Sequence, residues 1–238
     1  MSSLKGKSAV ITGGGRGLGK AIALLLAAEG VNIGITGRNE KALKETAAEI
    51  EKAGVKAAYA VFSVDEEAGV KTGIDELAKT LGGIDILVNN AGIGNFGALD
   101  KMPATEWEQV IRTNLFGVYY TAMAAYPYLK ASGAGDVVNV ASTAGLKGSA
   151  NMSAYAASKA AVISLSQSMM AEWRKQEIRV ITLTPSTIAS DMSIQGGLTD
   201  GNPEKVLQPE DFAEWVRDIL KMNRRAMIAN GSIFSTNP

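Results

Sequence analysis

The sequence predicts an α/β protein built on one doubly wound parallel sheet of about seven strands, with helices on both faces. Short runs that are apolar throughout alternate with longer segments that carry apolar residues at helical spacing. Strands of this composition are typical of a sheet covered on both faces, and a helix between successive strands makes them parallel. No linker, repeat or low-complexity tract divides the 238 residues, so we expect a single domain over residues 1–238.

The first four strands are short runs rich in Val, Ile and Ala. They are predicted at Ser8–Thr12, Val31–Thr36, Val55–Phe62 and Ile84–Gly92. The segments after the first three strands have apolar residues at every third or fourth position, which indicates helices that pack on a sheet. These helices are predicted at Leu18–Gly30, Glu40–Ala53 and Asp65–Leu81.

The second half of the chain continues the alternation. One long helix is predicted at Thr105–Lys130, and Pro127 is expected to kink or end it because proline has no N–H to donate. The remaining strands are predicted at Asp136–Ser142, Ile178–Pro185 and, as a short last strand, Ala226–Ala229. The remaining helices are predicted at Ser153–Lys175 and Pro209–Met222.

The composition excludes several classes of function. Lys and Arg number 24, as do Asp and Glu, so we expect no nucleic acid and no anionic membrane as partner. We expect no secretory signal and no membrane span, and the lack of cysteine fits a cytoplasmic protein. The lack of histidine and cysteine excludes thiol catalysis, Ser-His-Asp triads and histidine-liganded zinc, so no metal is expected. Proton transfer near neutral pH must then use a carboxylate, or a Tyr or Lys with a shifted pKa.

The segment TGGGRGLG (Thr12–Gly19) follows the first predicted strand and opens the first helix. Its glycines allow a tight turn and a close approach of the backbone to a ligand, and the helix N-terminus behind them favours an anion. This placement indicates the dinucleotide site of a Rossmann fold. The expected cofactor contacts are Gly13, Gly15, Arg16, Gly17, Leu18 and Gly19.

The end of the second strand indicates which dinucleotide binds. An NAD site usually has Asp or Glu here, which accepts hydrogen bonds from the adenosine ribose. This chain has Thr36, Gly37 and Arg38, with no acidic residue before Glu40. Arg38 and Arg16 are candidates for binding a 2′-phosphate, so NADP(H) is the predicted cofactor. The alternative is that Arg38 is a solvated turn residue.

Four patterns then coincide along the chain. They are the glycine loop, Asn89-Asn90-Ala91-Gly92, Asn114, and Ser142 with Tyr155-x-x-x-Lys159. In this order the sequence resembles the short-chain dehydrogenase/reductase family, from Leu4 to the last strand. The resemblance implies an enzyme that transfers a hydride between a nicotinamide cofactor and a ketone or secondary alcohol.

The pair Tyr155 and Lys159 lies on one face of a helix, because residues four apart are neighbours there. A nearby ammonium lowers the pKa of a phenol, which would let Tyr155 exchange a proton with a substrate oxygen near neutral pH. The resemblance implies that Lys159 also holds the nicotinamide ribose, that Ser142 positions the carbonyl and that Asn114 helps to hold a relay water. These four are the predicted catalytic residues. The alternative for Asn114 is a purely structural polar residue that bends its helix.

Further cofactor contacts are implied by the resemblance alone. Asn90 would lie beside the adenosine ribose, whereas Asn89 would mainly tie the fourth strand to its neighbour. At the adenine, Ser63 and Val64 replace the family's Asp-Val, so the usual carboxylate contact to the adenine amino group is expected to be missing.

The segment after the sixth strand is the other implied contact. The backbone of Ile188 and the hydroxyl of Ser190 would face the nicotinamide amide. Ser186 and Ser190 replace the glycine and threonine of the family pattern, which makes this wall of the site the less secure part of the resemblance.

Among family members, the 3-oxoacyl-[acyl-carrier-protein] reductases look most similar, which implies an acyl-carrier-bound substrate. An acyl carrier is acidic, yet the segments where basic docking residues are expected read Ser132–Asp136 and Gln176-Glu177, with basic residues only nearby. The segment Asp191–Gln208 also looks short and polar. A reductase of small ketones, diketones or hydroxy compounds is therefore a second hypothesis. A cofactor-binding protein with little turnover is a third, and the complete catalytic set argues against it.

The predicted helices Thr105–Lys130 and Ser153–Lys175 are rich in alanine, which allows close packing between helices. Family members commonly pair these helices across a two-fold axis, so a homodimer or homotetramer is predicted. The alternative is that the alanines pack only against the chain's own sheet.

Overall fold

The computed structural model describes residues 2–236, and these contain one seven-stranded sheet. The strands are β1 (Ser8–Thr12), β2 (Asn32–Gly37), β3 (Ala57–Val61), β4 (Ile86–Asn89), β5 (Asp136–Val140), β6 (Arg179–Pro185) and β7 (Asn230–Ile233). Neighbouring strands are all parallel, in the order β3-β2-β1-β4-β5-β6-β7. The strands β1, β4, β5 and β6 are buried at every residue, which fits their largely apolar sequences, and the buried positions include polar residues such as Asp136 and Arg179.

Helices cover both faces of the sheet. They are α1 (Gly17–Ala28), α2 (Glu40–Glu51), α3 (Glu67–Leu81), α4 (Ala104–Ile111), α5 (Gly117–Ala131), α6 (Ser153–Trp173), α7 (Asp191–Gln195) and α8 (Pro209–Leu220). Residues such as Leu26 of α1 and Phe212 of α8 belong to the core on one face, and Ile74 of α3 and Trp173 of α6 belong to the core on the other. The doubly wound parallel sheet predicted from the sequence is thus confirmed.

The strand order reverses between β1 and β4, and this reversal positions the site. The chain runs from β1 to β2 and β3 on one side, then returns to β4 on the other side of β1. The connections after β1 and β4 therefore diverge and leave a crevice at the carboxyl ends of the strands, where ligands bind in sheets of this kind. We call this end of the sheet the carboxyl edge and the opposite end the amino edge.

The long helix predicted at Thr105–Lys130 is wrong in one respect. A π-helical turn, Arg112–Phe116, separates α4 from α5. Pro127 lies inside α5 and does not end it. Proline cannot donate to the carbonyl four residues earlier, which belongs to Met123, and Met123 is about half exposed, so water can replace the missing bond.

The last strand was predicted at Ala226–Ala229, and this position is wrong. The strand is β7, which pairs with β6 from Thr182 opposite Asn230 to Pro185 opposite Ile233. The Asn-Gly pair at its start is typical of a turn in sequence. Here a Cβ at Gly231 would lie 2.7 Å from Cζ2 of Trp215 on α8, so close packing requires the glycine.

A buried cluster of ion pairs lies at the amino edge. Asp136, the first residue of β5, is fully buried and accepts hydrogen bonds from Arg179 Nε at 2.6 Å and Arg224 Nη1 at 3.1 Å. The Arg179 guanidinium also donates to the carbonyls of Leu220 and Met222, at 3.2 and 3.3 Å. The cluster therefore connects β5 and β6 to the chain after α8.

Candidate active site

The glycine loop joins β1 to α1 in the backbone conformation that its sequence requires. Gly13 and Gly17 have φ values of 67° and 52°, a left-handed conformation that favours glycine. A Cβ on Gly19 would lie 2.2 Å from the carbonyl oxygen of Gly13, so the first turn of α1 packs directly on the loop. No side chain caps α1 and its first turn holds no acidic residue. The first N–H groups of α1 are therefore available to an anion.

Thr12, which sequence reasoning missed, fixes this loop to the end of β4. Its Oγ1 accepts hydrogen bonds from the backbone N–H of Asn90 at 3.1 Å and of Ala91 at 3.0 Å, and Asn90 Nδ2 donates back to the Thr12 carbonyl at 3.0 Å. The only sequence signal was a threonine at the end of a strand. Asn89 ties β4 to β5 as expected, since its Nδ2 donates to Asn139 Oδ1 at 2.8 Å.

Two glycines of the loop pack too closely on neighbouring segments of the chain to allow a side chain. A Cβ on Gly13 would lie 3.1 Å from Asn90 Nδ2, and one on Gly14 would lie 2.5 Å from Ile35 Cγ2. Gly15 differs, because a Cβ there would meet Ala42 Cβ at an ordinary 3.4 Å, and Leu18 packs against the core below. Glycine-rich backbone ahead of an uncapped helix fits a pyrophosphate.

The two arginines predicted to bind a phosphate are both exposed, and each has a different acidic neighbour. Arg16 Nη1 donates to Asp191 Oδ2 of α7 at 2.8 Å, which links the glycine loop to the segment after β6. The Arg38 guanidinium lies close enough to Asp65 to help lower the pKa of that carboxyl. Neither pair is buried, so each exchanges readily for another anion.

A carboxylate stands near the position where the sequence interpretation found one missing. Ser63 follows β3 and its hydroxyl donates to Asp65, and Gln109 Nε2 donates to the other Asp65 oxygen at 2.6 Å. Burial opposes ionisation of Asp65, and the hydrogen bonds from Ser63 and Gln109 outweigh it, so its pKa is lowered. Val64 faces inward, where a Cβ on Gly117 would lie 2.7 Å from its Cγ2. The sequence therefore does contain an acidic residue here, Asp65, two positions after the place where the family pattern has its aspartate.

The structure brings Ser142, Tyr155 and Lys159 together at the carboxyl edge. Ser142 begins a 3₁₀ turn after β5, and its Oγ accepts from the N–H of Ala144 at 3.2 Å. This turn packs directly on α6, because a Cβ on Gly145 would lie 2.7 Å from the backbone carbon of Lys159. Lys159 Nζ donates to the carbonyl of Val140 at 2.8 Å and lies 5.7 Å from the centre of the Tyr155 ring.

The pKa of Tyr155 shifts in the direction opposite to the one expected. Burial raises it above the ordinary value near 10, and the Ser142 hydroxyl opposes part of this rise. Burial also lowers the pKa of Lys159 to about 8, because its partner is the neutral carbonyl of Val140 and not a carboxylate. The expectation that Lys159 lowers the Tyr155 pKa is therefore wrong for the chain by itself: desolvation is the larger effect on both groups.

Asn114 lies in the π-helical turn and is fully buried. Its Oδ1 accepts from the N–H of Ile93 at 2.8 Å, and its Nδ2 donates to the Ile93 carbonyl at 2.9 Å and to Ser158 Oγ at 3.0 Å. Ser158 in turn donates to the carbonyl of Tyr155 at 2.7 Å. The Asn114 side chain thus joins the segment after β4 to the helix that carries Tyr155. A Cβ on Gly92 would lie 3.1 Å from Asn114 Oδ1 and 3.7 Å from Lys159 Nζ, so Asn114 and Lys159 both lie next to Gly92.

The segment after β6 forms the remaining wall. Ser190 caps α7, where its Oγ accepts from the N–H of Ser193 at 3.2 Å, and Ser193 Oγ donates to the carbonyl of Ile188 at 2.6 Å. The Ile188 side chain belongs to the core. The Ser190 hydroxyl is therefore engaged in holding this segment, which sequence reasoning did not anticipate.

Among residues 2–236, no three His, Cys, Asp or Glu side chains form a group that could hold a metal ion. Within the same range, no helix combines the length and the apolar character that crossing a membrane requires.

Comparison with known proteins identifies the family. Residues 7–199 match the family model described as short chain dehydrogenase. The chain belongs to the short-chain dehydrogenase/reductase family. It is therefore an oxidoreductase that acts on CH–OH or C=O groups.

Individual relatives differ in what their names describe. A 3-oxoacyl-[acyl-carrier-protein] reductase of Chlamydia muridarum is 39% identical over 201 residues, which cover 84% of this chain and 80% of the relative. An alcohol dehydrogenase of the archaeon Thermococcus sibiricus, complexed with 5-hydroxy-NADP, has a TM-score of 0.90 at 28% identity and covers 98% of this chain and 97% of its own. Levodione reductase has the same TM-score and identity, with 97% of each chain covered. Similar structures that hold a cofactor contain NAD in some cases and NADP in others.

Proposed function

We propose that this protein is an NADPH-dependent reductase of ketones, with 3-oxoacyl groups on an acyl carrier protein as the first substrate class to test. The observation that supports it is the placement of Ser142, Tyr155 and Lys159 beside a glycine loop that suits a dinucleotide. A protein that only bound the cofactor would have no need of a half-buried tyrosine whose ring lies beside a buried lysine.

The catalytic roles follow from the chemistry of the three side chains. Bound NADPH would supply the hydride. Tyr155, which keeps its proton at neutral pH because burial raises its pKa, donates that proton to the carbonyl oxygen, and the ketone becomes a secondary alcohol. The Lys159 ammonium stabilises the phenolate that remains, and Ser142 donates a hydrogen bond that orients the carbonyl. Solvent then returns a proton to Tyr155.

The remaining residues hold the parts of the site in place. Asn114 connects the segment after β4 to α6 through Ser158, and so helps to fix the position of the backbone that carries Tyr155. The Asn114 side chain is already engaged with Ile93 and Ser158, so it has no amide hydrogen left for the relay water that the resemblance implies. The glycine loop would hold the pyrophosphate, with Asn90, Ser63, Val64, Ile188 and Ser190 around the two nucleosides.

The preference for NADPH rests on charge at the adenosine end. Arg38 stands where an NAD enzyme usually has an acid, and Arg16 lies on the glycine loop. The ion pair of Arg16 with Asp191 is exposed, and Arg38 acts on the half-buried Asp65 through its charge, so a 2′-phosphate can compete for both arginines. Arginine binds phosphate through two parallel hydrogen bonds, which favours this ligand over a ribose hydroxyl.

NADPH oxidation with a panel of carbonyl compounds tests this function. The panel contains a 3-oxoacyl group on acyl carrier protein, the same group on a small thiol, a cyclic diketone and a simple ketone. Turnover that needs the carrier supports the first substrate class, whereas equal turnover with small diketones supports the alternative that levodione reductase suggests by its similarity. NADPH binding without oxidation of any of them would contradict the proposal and leave a cofactor-binding protein.

We also propose that the protein is a homodimer or homotetramer that pairs α5 and α6 with a second copy. Phe116, the last residue of the π-helical turn, and Tyr119 and Met123 of α5 follow one another at intervals of three and four residues and are 39%, 46% and 47% exposed. They form an exposed apolar stripe, a feature that often marks a protein–protein interface. Sedimentation at micromolar concentration should give a mass of at least two chains. A mass of one chain would contradict it.

A further inference from the structure

Phe96 lies in the segment between β4 and α4 and its ring contacts the proposed proton donor. The ring stands edge-on to Tyr155, with centroids 5.7 Å apart and planes at 69°. Nothing in the proposed proton transfer uses this ring. Its position beside Tyr155 gives it a direct influence on which molecules can reach the hydroxyl.

Two glycines make room for this ring, one from each side of the crevice. A Cβ on Gly94 would lie 2.7 Å from Cζ of Phe96, and a Cβ on Gly196 would lie 2.6 Å from its Cδ2 and Cε2. Gly94 belongs to the segment after β4 and Gly196 directly follows α7. The same glycines approach Met192, at its Sδ and its carbonyl oxygen. The ring therefore spans the space between the segment after β4 and the segment after β6.

A pocket of about 470 Å³ lies on the Phe96 side of the site. It is lined by Phe96, Gly97, Ala150, Asn151, Met152, Gly196, Gly197 and Leu198. None of these side chains is charged. The N–H of Gly97 donates to the carbonyl of Asn151 at 2.9 Å, which joins the segment after β4 to the one before α6. The volume is in the lower part of the range for small-molecule sites.

We propose that Phe96 is the specificity-determining residue of this enzyme. Its ring forms the wall between Tyr155 and the uncharged pocket, and so limits the size of the group that the ketone carries on that side of its carbonyl. That group is uncharged, because a carboxylate or phosphate in this pocket would have no partner of opposite charge. The proposal rests on the ketone reductase function proposed above.

The test compares two ketones on the same enzyme, a methyl ketone and a ketone whose second substituent is a six-membered ring. Phe96→Ala should raise the ratio of kcat/KM for the large ketone to that for the small one by at least about tenfold, since hydrophobic pockets discriminate by 10- to 200-fold. Gly196→Ala should lower the same ratio, because the new methyl group would crowd the Phe96 ring and take up space in the pocket that Gly196 lines. A keto acid with a carboxylate on that substituent should remain a poor substrate in all variants.

Leu99→Ala is the matched control, since Leu99 lies in the same segment but is 69% exposed and does not line the pocket. Its ratio should equal that of the parent. The ratio distinguishes selectivity from general damage, because a misfolded site loses both activities together. If the parent reduces both ketones, an unchanged kcat/KM ratio in Phe96→Ala would overturn the inference. No ketone reduction by the parent would instead count against the function proposed above.

Discussion

The two edges of the sheet each bury a charged side chain, but only the one at the amino edge has partners of opposite charge. At the amino edge, the carboxylate of Asp136 is matched by the guanidinium groups of Arg179 and Arg224, at 2.6 and 3.1 Å. At the carboxyl edge, Lys159 is 5% exposed and its ammonium donates to a neutral carbonyl. Tyr155 beside it is held by burial in its protonated form.

The difference separates stability from chemistry. A buried carboxylate whose partners are guanidinium groups connects β5 and β6 to the chain after α8, and removing one partner of such a pair is strongly destabilising. A buried amine without a carboxylate has a lowered pKa, about 8 for Lys159, and is available to stabilise a charge that forms during a reaction. We expect substitutions at the two edges to affect activity and stability separately.

The largest expected effect is at the carboxyl edge. Tyr155→Phe keeps the ring that packs on Phe96 and removes only the hydroxyl. Loss of a general acid typically lowers the rate by about 10²–10⁴, so kcat for ketone reduction should fall by that factor while NADPH binding stays near normal. Single-turnover kinetics and NADPH fluorescence measure the two quantities.

Tyr128→Phe is the control for this substitution. The Tyr128 hydroxyl donates to Asp75 at 2.8 Å on the flank of the amino edge, so its removal should leave kcat unchanged. Turnover of Tyr155→Phe within a few-fold of the parent would mean that another residue carries the proton, and the chain has no histidine or cysteine to do so.

The next largest effect is expected at the amino edge, where a substitution should lower stability and leave activity unchanged. Asp136→Asn leaves the Arg179 guanidinium buried without its countercharge, which should lower the free energy of unfolding by about 3–5 kcal/mol. At a temperature where the variant is folded, kcat should remain near that of the parent. Urea denaturation followed by circular dichroism measures the free energy of unfolding. The control is Asp218→Asn, which removes the charge of an exposed carboxylate that pairs with Arg217. Equal stability of Asp136→Asn and the parent would contradict this view of the amino edge.

A smaller effect is expected at the adenosine end of the carboxyl edge. Arg38→Asp should weaken NADPH binding by tenfold or more, because a charge-assisted hydrogen bond to a phosphate contributes about 1.5–3 kcal/mol. Binding of NADH should change less. Lys52→Asp makes the same charge change at the other end of α2, and its NADPH affinity should match that of the parent. An unmodified protein with equal affinity for both cofactors would refute the role given to Arg38.

The smallest effect concerns pH. Reduction needs protonated Tyr155, and its pKa lies above 10, so kcat/KM for ketone reduction should vary by less than about twofold between pH 6 and 7.5. Alcohol oxidation needs the phenolate and should rise with pH over the same range. Lys159 starts to lose its charge as the pH passes about 8, and reduction should decline from there. A reduction rate that halves near pH 7 would instead indicate that bound cofactor lowers the Tyr155 pKa.

Local patterns predicted much of the fold. The fully buried strands were found because each contains a run of Val, Ile or Leu, and the glycine loop because its conformation can be read from glycine alone. Tyr155 and Lys159 were placed together by helical spacing, which needs no tertiary contact.

Features that depend on distant contacts were not predictable in the same way. The π-helical turn accommodates the bonds between Asn114 and Ile93, and the position of β7 follows from the contact of Gly231 with Trp215. The direction of the Tyr155 pKa depends on how deeply the folded chain buries the ring, which spacing does not reveal.

The strand order also sets the sequence of events during synthesis. The central strand β1 pairs with β4 at Ala9 opposite Ile86, so this pair cannot form until the ribosome has released the chain beyond that residue. At roughly 5–20 residues per second, β4 is synthesised several seconds after β1 and β2. Lys159 and the segment Asp191–Gln208 emerge later still. A nascent chain stalled before residue 155 would therefore carry the glycine loop without the means to transfer a proton.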